Sequence, residues 1–354
     1  MVIVGIDAHK RSHTAVAVDE VGRKLGQRTT GTTSEDHLLL LAWAEQFGED
    51  LRWAIEDCRH LSRRLERDLL GAGAAIVRVP TKLMAHARDG ARSYGKSDPI
   101  DALAVARAAL RETDLPTAQL EGPARTVRLL SDHRDHLVAE RTRVINRLRW
   151  HLHELDPTRE PPARTLWRPK HLKVVVARLD QLDRQRDTVV ARLARELIDR
   201  CHQLTKQIHT LDDELAPLVE QLAPALLDIC GCGTLTAAKI IGETADVRRF
   251  RSRHAFARHN GTAPLPVWSS NQPRHRLSRT GNRQLNAAIH RIAITQARHH
   301  GPAQQLLQRR RDGGKNKAES IRVLKRRLSD VVYRTLLADA DRLPMPDQPI
   351  LVAA

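Results

Sequence analysis

The first third of the chain mixes two apolar periodicities. Val2-Ile3-Val4-Gly5-Ile6 is a short apolar run closed by Asp7, and Thr14-Ala15-Val16-Ala17-Val18 is a second, placed to return as a hairpin partner. A third strand is predicted within Lys24–Thr30. Residues 34–47 and 61–70 carry apolar positions at helical spacing, and the short runs 53–55 and Ala75–Val79 read as strands around the second of these helices. From Ile100 to Leu110 the pattern is strongly helical, with Pro99 suited to the first turn. Strands first and then alternating strand and helix predict an α/β domain over residues 1–122, a mixed sheet with helices packed on it.

The pattern then changes. Residues 123–222 lack strand signals and glycine, and Leu129, Leu130, Leu137, Val144, Leu148 and Leu152 repeat at helical spacing. A proline-rich break between Pro157 and Pro169 divides this all-α region, whose long charged helices predict antiparallel hairpins or coiled coils. A third region, 223–342, opens on Cys230-Gly231-Cys232-Gly233 followed by a helical run, which resembles a helix-hairpin-helix turn able to bring backbone amides to a phosphate. Residues 343–354 are proline-rich and are expected to form a flexible tail.

Composition narrows the function. A net charge of +17 over 354 residues favours a polyanionic partner through counterion release. Aromatic residues are only 3% of the chain, which argues against base-stacking platforms for single strands. Cys58, Cys201, Cys230 and Cys232 fit neither a disulfide scaffold nor a zinc site and are expected to be reduced thiols of a cytoplasmic protein. No apolar stretch suits a bilayer, so no membrane partner is expected. The histidines, His60, His86 and His133 among them, show no metal-ligand pattern in the sequence.

Candidate chemistry lies in four acidic residues. Asp7 ends the first apolar run and Glu56 ends Trp53-Ala54-Ile55. Asp98 and Asp101 stand three residues apart at a helix start, where they share a face and the helix dipole favours negative charge. Each alone reads as a cap or a strand end. Together they suit two Mg²⁺ ions working on a phosphodiester, one at the attacking oxygen and one at the leaving oxygen. Asp57 competes with Glu56 for the fourth position, since strand alternation sends neighbours to opposite faces.

These motifs carry a resemblance. Val4-Gly5-Ile6-Asp7, Ala54-Ile55-Glu56 and Lys96-Ser97-Asp98-Pro99-Ile100-Asp101-Ala102 resemble the DEDD signature of insertion-sequence-110 type transposases. Gly261-Thr262-Ala263-Pro264 and the stretch from Arg276 to Leu285 resemble that family's C-terminal domain. The resemblance spans nearly the whole chain, in order. It implies a RuvC-like, ribonuclease-H-type N-terminal domain, a helical coiled-coil insertion and a small helical C-terminal transposase domain. It also implies a DNA recombinase moving its element through a circular intermediate. Its expected partners are donor and target double-stranded DNA, a non-coding bridge RNA that pairs with both, and further copies of itself as a dimer or tetramer.

The family's catalytic serine lies in a Ser-Ser-Gly motif, where this chain reads Ser269-Ser270-Asn271. An ungapped alignment places Ser269 on that serine; a shift by one selects Ser270. The resemblance implies a composite site, in which this serine meets the metal-binding carboxylates. Arg274, Arg276, Arg279, Asn282 and Arg283 surround it as nucleic-acid contacts suited to phosphate clamping. Arg309-Arg310-Arg311 and, in the helical middle, Arg141, Arg143, Arg147 and Arg149 are further basic candidates. The competing functions are a RuvC-like junction resolvase that uses water in place of serine, and a non-catalytic nucleic-acid-binding protein.

Overall fold

A computed structural model describes residues 1–56, 61–81, 83, 84, 87, 97–112, 115, 117, 118, 122–183, 188–269, 272–276 and 281–342, without the side chains of 182, 183, 266–269 and 272–276. Its chain forms two compact units. One comprises Met1–Gly122, Asp228–Cys232 and Glu243–Ala354; the other comprises Pro123–Leu227 and Gly233–Gly242.

The N-terminal part of the first unit is a five-stranded sheet in the order β3-β2-β1-β4-β5. Strands β1 (Val2–Ala8), β2 (His13–Val18) and β3 (Lys24–Thr30) form an antiparallel meander. Helix α1 (Ser34–Glu45) leads to β4 (Leu51–Glu56), parallel to β1, and helix α2 (Arg63–Gly71) leads to β5 (Ala75–Val79), parallel to β4. Helix α3 (Asp98–Arg111) follows. A meander joined to parallel βα units is the mixed, RuvC-like ribonuclease-H-type arrangement expected.

Strand alternation divides the core into two layers. Val4, Ile6, Ala15, Ala17, Trp53 and Ile55 pack with Leu40 and Ala44 of α1 and Leu65 and Leu69 of α2. Ile3, Val16, Val18, Ala54, Val77 and Val79 pack with Ala102, Val105, Ala106 and Ala109 of α3. A capping box starts α1: Thr33 Oγ1 accepts from the Asp36 amide, and Asp36 Oδ2 accepts from the Thr33 amide. On α2, buried Glu66 accepts from Arg78 of β5 at 2.7 Å and from Ser62 Oγ at 2.8 Å, so this buried charge is paired and hydrogen-bonded.

Gly5 sets how closely α3 approaches the sheet. A Cβ there would lie 2.3 Å from the Ala102 carbonyl oxygen and 2.5 Å from the Ala106 nitrogen, both backbone atoms that cannot rotate away. Gly5→Ala is therefore expected to force α3 off β1 and to cost about 3 kcal/mol, read as a lowered denaturant midpoint. An unchanged midpoint would contradict this packing.

Beneath α1, the rings of His13 and His37 are 5.3 Å apart, both buried, and His37 Nδ1 lies 2.7 Å from Asp68 Oδ2. Burial pushes the His13 imidazole down to about 4, with His37 and His9 adding in the same direction and Asp36 opposing. Its folded value lies below the unfolded value of about 6.5, so the unfolded chain binds the proton more tightly. The contribution to stability is complete above pH 6.5 and is lost as pH falls toward 4. Between pH 7.5 and 5 that loss amounts to about 2 kcal/mol. The buried Asp7 carboxyl, pushed up to about 6, acts in the opposite sense over this range, so the His13 contribution is read as the difference between wild type and His13→Asn in how the denaturation midpoint changes from pH 7.5 to 5.

The second unit is helical. Helix α4 (Pro123–Leu155) and helix α6 (Val189–Leu222) run antiparallel, with Arg134 paired to Asp212 and Arg141 donating to Thr205. Their core joins Val144, Leu148 and Leu152 to Ala194, Ile198 and Cys201, and Leu172 and Leu179 of α5 (Pro169–Asp183) close it. Helix α7 (Thr234–Thr244) seats Lys239 between Asp132 and Asp135, at 2.9 and 2.8 Å.

The C-terminal part of the first unit contains α8 (Arg253–His259), α9 (Arg283–His299), α10 (Gly301–Asp312) and α11 (Lys317–Arg342). Between α8 and α9 runs a hairpin that the sequence pattern did not indicate, β6 (Leu265–Ser269) paired antiparallel with β7 (Gln272–Arg276). Pro266, Pro273 and three basic residues interrupt the apolar alternation that marks a strand. Among the described residues, no helix is long and apolar enough to cross a membrane.

Candidate active site

The packing of α3 on β1 decides where the carboxylates meet. Ile3, Gly5 and Asp7 share the face of β1 that α3 covers. Gly5 lies under Ala102 and Ala106, so Asp7, two residues on, falls beside the first turn, where Asp98 and Asp101 stand. On β4, Ala54 belongs to the α3-side core, and Glu56, again two residues on, shares that face. The register pairs Ile6 with Ile55, one residue short of Asp7 and Glu56. Asp57, the alternative to Glu56, lies outside the described residues.

Asp7 and Asp101 are buried, Glu56 is half-buried and Asp98 is exposed. Asp7 Oδ2 is buried without a hydrogen-bond partner. Burial pushes the Asp7 carboxyl up to about 6; His9 pulls it down, while the charges of Asp101, Asp98 and Glu56 push it further up. Four carboxylates crowded in this way repel one another, and a divalent cation relieves that repulsion. Asp7, Asp98 and His9 each present a donor atom, all within 4.8 Å of one another. An orphaned buried oxygen amid hard donors fits a divalent metal ion.

His9 was not singled out in the sequence. It belongs to the turn between β1 and β2, where its amide donates to the Ser12 carbonyl at 3.0 Å. Its place two residues after Asp7 was the available signal.

The serine side of the candidate site is described at the backbone only. Ser269 is the last residue of β6, paired with Gln272. Its side chain, and those of Arg274 and Arg276 on β7, lie outside the described residues, as do Ser270, Asn271 and Arg279 entirely. What the structure does describe is the base of this hairpin. Gly281 lies so close to Gly261 that a Cβ would sit 2.2 Å from the Gly261 nitrogen. Asn260, fully buried, donates to Ser329 Oγ at 2.8 Å and accepts from the Thr262 amide and hydroxyl. Its carbonyl accepts from Asn286, which in turn accepts from buried Lys325. This network ties both ends of the hairpin to α9 and α11.

Asn282 has both ends of its amide engaged, its oxygen capping α9 at the Leu285 amide and its nitrogen donating to Glu243 at 2.6 Å. Arg283 is exposed at the first position of α9, and Arg309, Arg310 and Arg311 are exposed at the end of α10. In the helical unit, Arg141 and Arg149 support neighbouring segments, Arg149 through the Pro162 carbonyl, while Arg143 and Arg147 are exposed. Gly231 has φ +88° and packs against Thr295 of α9, so that glycine serves internal packing; Gly233 opens to free space.

Comparison with known proteins adds sequence kinship to this geometry. Residues 4–157 match a transposase family described as the DEDD type of IS110, and residues 223–308 match one described as the transposase IS116/IS110/IS902 family. The insertion element IS116 uncharacterized 44.8 kDa protein of Streptomyces clavuligerus is 28% identical, the match covering 99% of this chain and 98% of that one. The insertion element IS900 uncharacterized 42 kDa protein of Mycobacterium paratuberculosis is 25% identical, with 94% of each covered. Among solved structures, Thermus thermophilus RuvC in complex with a Holliday junction substrate matches at 16% identity and a TM-score of 0.26, covering 33% of this chain and 99% of that one.

Proposed function

We propose that this chain, which belongs to the IS110 family of insertion-element transposases, uses Asp7, Glu56, Asp98 and Asp101 as the divalent-metal centre of its DNA strand transfer. Membership makes it an enzyme that cuts and rejoins DNA. The observation that carries the finer reading is the convergence of these four carboxylates, from β1, β4 and the first turn of α3, around a buried Asp7 oxygen with no hydrogen-bond partner.

Mg²⁺ held by the four carboxylates, as two ions, would polarise the phosphate and stabilise charge on the attacking and departing oxygens. The nucleophile is Ser269. Its Oγ attacks a DNA phosphorus, the bond from phosphorus to the 3′ oxygen breaks, and the serine proton ends on that departing oxygen. The products are a phosphoserine joined to the 5′ side and a free 3′-hydroxyl. Attack of such a 3′-hydroxyl on the phosphoserine of another strand restores the serine and joins the exchanged ends. Arg274, Arg276, Arg279 and Arg283 clamp backbone phosphates around the reacting strand. Asn282 acts there through its cap, holding the α9 end from which Arg283 projects.

Specificity in this reading comes from RNA. A bridge RNA encoded by the element pairs with donor and target duplexes, and the protein acts as a dimer or tetramer so that both are held at once. The basic balance of the chain supports binding of both nucleic acids without distinguishing them. Deleting the non-coding end of the element, while supplying the protein from elsewhere, should abolish circular junctions measured by amplification across them. Restoring the RNA in trans should recover them. Undiminished circles without the RNA would remove guidance from the account.

A further inference from the structure

We propose that His9 is a nitrogen ligand of the metal centre, coordinating through Nδ1 beside Asp7 and Asp98, and that this ligand biases the site toward Mn²⁺ over Mg²⁺. The inference rests on the reading of the carboxylate cluster as a metal centre and adds a residue outside the four acidic positions.

Three observations carry it. First, Asp7 is the next-to-last residue of β1 and His9 directly follows the strand's end at Ala8, which places the two residues side by side at the mouth of the β1–β2 turn. The His9 backbone is fixed there by its 3.0 Å hydrogen bond to Ser12. Second, His9 Nδ1 lies 3.6 Å from Asp7 Oδ2. That separation is too long for a hydrogen bond, and Asp7 Oδ2 has no such bond to any group. Two donors bound to one ion at about 2.1 Å stand roughly 3 Å apart at a right angle and roughly 4 Å apart in trans, so 3.6 Å falls within the span of a shared ion. Third, Asp98 presents a carboxylate oxygen to the same point, every donor lying within 4.8 Å of the others. The exposed Asp98 and half-exposed His9 leave the centre open on the side from which an ion or a phosphate arrives.

The chemistry of the donors sets the preference. Mg²⁺ takes oxygen ligands and gives up its waters reluctantly, whereas later first-row divalent ions gain from an imidazole. A single nitrogen among carboxylates suits an ion that accepts both, and Mn²⁺ does.

The test is pulsed electron paramagnetic resonance of the full-length protein titrated with Mn²⁺. The expected result is a ¹⁴N coupling on bound Mn²⁺ that changes to the ¹⁵N pattern when histidine is isotopically labelled and vanishes in His9→Gln. The same variant should bind Mn²⁺ about tenfold more weakly, with Mg²⁺ binding changed less. His9 lies in an exposed turn, and the labelling arm needs no variant at all. Bound Mn²⁺ with no nitrogen coupling in the wild type, or coupling that survives in His9→Gln, overturns the role of His9 and leaves the carboxylate centre standing. Failure of the wild type to bind Mn²⁺ overturns both, and Asp7→Asn binding Mn²⁺ as tightly as the wild type would place the ion elsewhere.

Discussion

Replacing Asp7 with asparagine is expected to reduce DNA strand cleavage about 10³-fold or more while leaving duplex binding intact. A metal ion at a transferring phosphate contributes several kcal/mol of charge stabilisation, and each 1.36 kcal/mol is a factor of ten in rate. Asp7 is the residue around which the others converge: it is buried, one of its oxygens has no hydrogen bond, and Asp101, Asp98, Glu56 and His9 all act on its charge. Asparagine keeps the shape of the side chain and removes one charge from a crowded acidic group, so the fold should be retained or slightly stabilised. Binding, which depends on the basic faces, should keep its affinity and salt dependence. Cleavage by the variant at the wild-type rate would remove the metal centre from the mechanism; a parallel loss of binding would point to a structural role for Asp7.

The second large effect concerns the nucleophile. Ser269→Ala should eliminate covalent protein–DNA product altogether, because the proposed phosphoserine cannot form without the hydroxyl that attacks. Ser270→Ala should retain it. The comparison separates the two serines that the alignment leaves adjacent, and it distinguishes this chemistry from that of a resolvase. An enzyme that activates water needs neither hydroxyl, and both variants would then cleave normally without forming an adduct. Adduct formation by Ser269→Ala but not by Ser270→Ala would move the nucleophile one residue along the hairpin.

Much of the N-terminal domain was legible because its signals are local and strong. The apolar runs of β1, β2, β4 and β5 and the alanine-rich α3 announce themselves by period, and the carboxylates stand at or near their ends. The sequence does not announce the spacing between layers. Gly5 is one glycine in an apolar run, yet its contact with Ala102 and Ala106 brings Asp7 level with the start of α3. The buried His13–His37 pair was not foreseen either, because it depends on how α1 crosses the sheet.

The C-terminal region was less legible. Hairpin β6–β7 is built from Leu-Pro-Val-Trp-Ser and Gln-Pro-Arg-His-Arg, where prolines and basic residues take positions that alternation would assign to apolar side chains. The segments that flank it are bonded to distant residues, Asn260 to Ser329 and Asn286 to Lys325, which no window of the sequence contains. Asn282 illustrates the same limit. Its place after Gly281 suggested a nucleic-acid contact, and the structure engages its side chain in capping α9 and bonding Glu243. His9 was within reach, since it stands only two residues beyond Asp7, but it gains meaning only once α3 is seen to bring Asp98 within 4.8 Å of both.

In the proposed mechanism the carboxylate cluster and Ser269 together cut DNA through a covalent intermediate. The measurement that tests it most directly is a denaturing gel of full-length protein incubated with Mg²⁺, labelled DNA spanning an element junction, and RNA transcribed from the element's non-coding end. A labelled protein–DNA band is expected with the wild type and is expected to be absent from Asp7→Asn and Ser269→Ala. Cleaved DNA with no covalent band, under conditions where the wild type is active, would contradict it.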